Sequence, residues 1–115
     1  MGKQATNATV RRLIVSKPNN AGRLVRLGTV DFDASNRATL ATEGSSPEVE
    51  ELKRVWQEMS NMKKLTWVHS RPVTKGGSEV TQIVGEDASP GEEKYFYAVL
   101  DTLARKYGYT VDIAK

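Results

Sequence analysis

Val10–Phe32, VRRLIVSKPNNAGRLVRLGTVDF, decides the fold. Leu13-Ile14-Val15 and the group Leu24, Val25, Leu27 and Val30 are short β-branched and aliphatic runs. Lys17-Pro18-Asn19-Asn20-Ala21-Gly22 separates them with residues that preset or tolerate turn dihedrals. Two strands joined this closely predict a hairpin. Asp33-Ala34-Ser35-Asn36 is the next turn, and Arg37–Thr42 follows as a third strand, with Ala38 and Leu40 on one face and Thr39 on the other. The chain therefore opens as an antiparallel meander.

Downstream, Ser45 or Ser46 caps a helix that has Pro47 in its first turn, and Ser45 with Glu48 has capping-box spacing. Val49, Leu52, Val55, Trp56, Met59 and Met62 recur at three- and four-residue steps, so one apolar stripe faces inward. Leu65–Val73 and Glu79–Val84 turn β-like again around Lys75-Gly76-Gly77, a strong hairpin signal, and Pro72 requires an edge or a bulge. A second helix is predicted from Ser89-Pro90 and Glu92, with Phe96, Val99, Leu100, Leu103 and Tyr107 on one face and Gly108 at its end. Tyr109–Ile113 is the last strand. The fold class is α+β, a two-layer arrangement of order β-β-β-α-β-β-α-β, with a mainly antiparallel sheet and two amphipathic helices packed on it. The expected division is a flexible polar tail over 1–9 and a single domain over 10–115.

Composition agrees with a globular chain: of 115 residues, 38% are hydrophobic and 27% charged. With no Cys and a single His, His69, thiol chemistry and centres that need two histidines are excluded, and no cofactor or metal site is expected. Met1–Thr9 lacks the apolar run of a secretory signal, and no stretch approaches the roughly twenty apolar residues of a transmembrane helix, so the expected location is the cytoplasm. The loose myristoylation pattern at Gly2 and Thr6 and the triplet Asn7-Ala8-Thr9 are chance matches.

Catalytic signals are sparse. Asp31, Asp33 and Ser35 resemble the opening of an EF-hand calcium loop, yet Asn36 stands where that loop needs Gly and Thr42 where it needs Glu. Ordinary turn chemistry, with Asp33 bonding its own backbone, accounts for them. The only metal alternative would combine them with Glu86 or Asp87. His69 lies on a predicted strand beside Ser70 with no nucleophile elbow, and phosphate-cradling glycine loops are absent. On the second helix, Tyr95 and Tyr97 flank the inward Phe96, which leaves one of them for a partner.

Charge is unevenly placed. Residues 1–30 hold six cations, Lys3, Arg11, Arg12, Lys17, Arg23 and Arg26, and no acid. Later charges have a structural cause: Glu48, Glu50, Glu51, Glu92 and Glu93 stand at helix starts, and Lys63, Lys64, Arg105 and Lys106 at helix ends. The first block has no such account. The expected function is a small non-catalytic binding or regulatory protein acting through protein–protein contacts. The alternative is nucleic-acid contact through those six cations on the first hairpin. A small enzyme with carboxylate or His chemistry is disfavoured, since no motif positions an acid–base pair.

Overall fold

A computed structural model describes residues 9–114, with the backbone alone at 69–73, 75 and 78–83. Lys3 and all but the last residue of the expected tail lie outside the described residues, as does the side chain of His69. The elements are β1 (Arg11–Pro18), β2 (Leu24–Phe32), β3 (Ala38–Thr42), α1 (Pro47–Ser60), β4 (Leu65–Lys75), β5 (Ser78–Ala88), α2 (Tyr95–Asp101) continued by a π-helical turn (Thr102–Lys106), and β6 (Thr110–Ile113). The class is α+β and the order is the expected one.

Local chemistry closes the turns. Asn19 Oδ1 accepts the N–H groups of Ala21 at 2.9 Å and Arg23 at 3.0 Å, which folds the β1–β2 connection back on itself. Asp33 Oδ1 does the same for Ser35 at 2.8 Å and Arg37 at 3.1 Å between β2 and β3, with Asn36 in the left-handed region at φ 61°. Gly76 and Gly77 both take positive φ, 62° and 84°, as a tight two-residue hairpin turn between β4 and β5 demands.

Two sheets result. The larger is antiparallel throughout with order β3-β2-β1-β6, while β4 and β5 pair only with each other. On the edge of β4, Asp101 at the end of α2 accepts the Val68 N–H on Oδ2 at 3.2 Å, so a side chain rather than a strand occupies that point. Pro72 stands opposite Thr81 without a bulge, in a strand that has one partner only.

Leu13 and Val30, opposite each other in register, are fully buried with Val15 and Phe32 on the inward face of the larger sheet. Val49, Leu52, Val55 and Met59 of α1 and Phe96, Val99 and Leu103 from α2 and its π turn complete the same core, so both helices lie over that face. Each such side chain stabilises by about 1.5–3 kcal/mol on burial. Leu27 joins them against simple alternation. Val15 pairs with Gly28 and Ser16 with Arg26, which leaves Leu27 as the extra residue of a β-bulge that turns it inward.

The first helix starts at one of its two expected caps without the expected capping box, and the second starts later than expected. Ser46, not Ser45, caps α1, its Oγ accepting the Val49 N–H at 3.3 Å, which leaves Glu48 one position short of closing a capping box. Met62 falls beyond the helix, half-buried against the core. The second helix starts at Tyr95 rather than Pro90. Ser89 and Glu92 do bond, N–H to Oε2 at 2.6 Å, but Gly91 takes φ 94° and diverts the chain through a turn first. At the far end Tyr107 N–H reaches back five residues to Thr102 O at 3.2 Å, and Gly108 at φ 78° ends the helix. Among the described residues no helix is long and apolar enough to cross a membrane.

Candidate functional site

The described N-terminal cations, Arg11, Arg12, Lys17, Arg23 and Arg26, have different surroundings. Arg11 is directly opposite Phe32 on the inward face, where its guanidinium lies 4.7 Å from the centre of the Phe96 ring and donates to Asn36 Oδ1 at 3.3 Å. Arg12 points to the other face and pairs with its cross-strand neighbour Asp31, Nε to Oδ1 at 2.6 Å. That hydrogen bond, with the carboxylate's charge, raises the Arg12 pKa further. Lys17 follows six residues after Arg11, roughly 20 Å along the strand. Its Nζ is 3.6 Å from Glu51 and 5.2 Å from the centre of the Tyr109 ring. Arg26 pairs with Glu43 at 2.6 Å. Arg23, exposed beside the turn, forms no ion pair among the described residues. The acids that match this block come from later segments of the chain, a pairing that only the tertiary fold supplies.

Asp31 and Asp33 line one recess with Arg37, while Asp87 stands on the other sheet. Asp31 is held by Arg12 and Asp33 by its own turn, while Asp87, on the second sheet, accepts the Thr66 hydroxyl at 2.6 Å. His69 stands in register with Val84 on β4.

A different surface does assemble. Of the two flanking tyrosines, Tyr95 is 7% exposed and Tyr97 46%. Tyr97 stacks on Trp67 of β4, with centroids 5.5 Å apart and planes 29° apart, and meets Phe96 edge-on at 5.3 Å. Phe96 meets Phe32 edge-on at 5.0 Å. A continuous run of rings thus leads from the core to the surface and fixes the exposed one. Trp67 and Tyr97 line an open recess of about 430 Å³ with Glu92, Glu93 and Lys94. Glu92 is oriented by the Ser89 N–H, and Lys94 Nζ is 4.0 Å from Glu86. The helix spacing of Tyr95 and Tyr97 carries a trace of this surface. Trp67 does not, because it arrives from another element.

Three phenols resist ionisation. Burial raises the pKa of Tyr95 and Tyr109, and burial together with the hydroxyl's 3.2 Å bond to Glu58 raises that of Tyr107. The folded chain therefore holds these protons to higher pH than the unfolded one, whose tyrosines titrate at about 10. The associated stability is complete below that value and is lost as pH climbs through the folded-state pKa values. We expect the urea midpoint to fall above about pH 10 together with tyrosinate absorbance, and to fall less in Tyr95→Phe. A midpoint that stays level there contradicts this.

Comparison with protein-family models, with curated proteins and with solved structures finds no match to this chain.

Proposed function

We propose that the protein is a small non-catalytic binding module of the cytoplasm that receives a basic segment of a partner protein on the Tyr97–Trp67 surface. The observation that carries this reading is a half-exposed tyrosine stacked on a tryptophan beside two carboxylates. Aromatic faces attract guanidinium and ammonium groups by their quadrupole, most strongly for Trp, and a stacked pair presents its area with little entropy left to lose. Glu92 and Glu93 add charge of the sign a basic segment needs.

Calorimetry with an arginine-rich peptide at low salt tests it. Saturable binding is expected, weakened roughly five- to thirtyfold by Tyr97→Ala and reduced by joint replacement of Glu92 and Glu93 with Gln. An acidic peptide of equal length should not bind. Affinity unchanged by Tyr97→Ala removes the proposal.

The alternative, nucleic-acid contact through the first hairpin, has Arg23 in its favour as an exposed cation without an ion pair among the described residues. It requires retention on DNA that weakens steeply between low and moderate salt and disappears when Arg11, Arg12, Arg23 and Arg26 become Gln. Retention that is absent, or indifferent to salt, eliminates it.

A further inference from the structure

Two helix C-termini meet at one end of the molecule. The Tyr107 hydroxyl, just past the π turn, donates to Glu58 Oε1 in the last turn of α1 at 3.2 Å. Each helix C-terminus carries roughly half a negative charge, so about one unit collects there. Four cations follow those ends: Lys63 and Lys64 after α1, and Arg105 and Lys106 in the π turn. The local acids are already engaged, Asp101 with Arg105 at 2.5 Å and Glu58 with Arg54 at 2.8 Å. Three cations thus face about one unit of dipole charge, a surplus near two that complementing the helices does not require.

Two of those three, Lys64 and Lys106, line one cavity together with the paired Arg105 and Asp101. That recess, of about 330 Å³, therefore holds three cations and one carboxylate, and Met62, Leu65 and Val68 are among its other lining residues. Neither Lys64 nor Lys106 forms an ion pair among the described residues. Arg105 is aimed in advance. The Asp101 carboxylate, with 13% side-chain exposure, accepts the Val68 N–H on Oδ2 and meets Arg105 Nε through Oδ1, which ties the guanidinium to the edge of β4. A cation ordered before the ligand arrives has less freedom to lose on binding.

We propose that this recess binds a phosphate monoester carried on an apolar or aromatic body, with Lys64, Lys106 and Arg105 around the phosphate and Met62 and Val68 against the body. A monoester carries a charge of about −1.5 to −2 at pH 7, which matches the side-chain balance of +2 that Lys64, Arg105 and Lys106 leave against Asp101 in the recess, whereas a carboxylate supplies only half of it.

Titration with phenyl phosphate, followed by amide chemical shifts, tests the site. Saturable shifts are expected at residues 64–68 and 102–106, with inorganic phosphate and benzoate each binding more weakly and phenol not at all. Joint replacement K64Q/K106Q should weaken phenyl phosphate at least roughly tenfold, while K53Q, which removes an exposed cation that does not line the recess, leaves it unchanged. The proposal is overturned if the shifts do not saturate, if K53Q costs as much as K64Q/K106Q, or if benzoate or inorganic phosphate binds as tightly as phenyl phosphate. Because all the substituted side chains are exposed, both variants should fold, and matched circular dichroism verifies this.

Discussion

Truncating Phe96 to Ala should remove about 3–5 kcal/mol of stability, the usual cost of deleting a fully buried phenyl ring. The ring is 2% exposed and meets Phe32 of β2 and its neighbour Tyr97 edge-on, while Arg11 lies over its face. One substitution therefore opens a cavity between α2 and the larger sheet and unseats the ring that orients Tyr97. With about 4–8 °C of melting temperature per kcal/mol in small domains, a decrease of roughly 12–40 °C is expected. Urea unfolding followed by circular dichroism measures the loss. Phe96→Leu, which keeps most of the volume, should cost under about 1.5 kcal/mol if packing is the cause. A loss below about 1 kcal/mol for Phe96→Ala would falsify this account of the core.

Gly28→Ala should act at the other side of that core and through backbone alone. A Cβ at Gly28 would lie 2.4 Å from Ala41 O and 3.0 Å from Thr42 Cα, both main-chain atoms of β3. No rotamer change relieves such a clash, so β3 must move away from β2. We expect a loss of about 3 kcal/mol, at the upper end for overpacking, and faster amide exchange along Ala38–Thr42. Gly85→Ala is the control: its Cβ would first meet the Thr66 Cγ2 methyl at 3.4 Å, a side chain able to give way. If both variants unfold at the same urea concentration, the close approach of β2 and β3 is not what requires Gly28.

What was legible in the sequence is what short-range chemistry decides. Asn19 and Asp33 fold their own turns, Ser46 caps its own helix, and the stripe from Val49 to Met59 needs no knowledge of its neighbours. Misreadings arise where two local signals compete. Ser89-Pro90 with Glu92 has the chemistry of a helix start, but Gly91 adopts a left-handed conformation and postpones the helix to Tyr95. Leu27 violates alternation because a bulge absorbs one residue. The surfaces of interest were hidden for a further reason. Trp67 meets Tyr97, and Lys64 shares a recess with Arg105, across distances in the chain that no motif spans. Likewise the basic block of the first hairpin looks uncompensated until Asp31, Glu43 and Glu51 are brought to it.

The pairing of β6 with β1 has a mechanical consequence. Leu13 stands opposite Ile113 and Ser16 opposite Thr110, and beyond them the Ala114 N–H donates to Arg12 O at 2.9 Å. The start of β1 and the end of β6 therefore lie side by side at the same end of the ladder. Force applied there would not load the rungs together in shear. It would reach the outermost rung first and pass inward only as each one gives, so β6 would peel like a zipper, yielding to a weak pull that the same strands, gripped at opposite ends, would withstand.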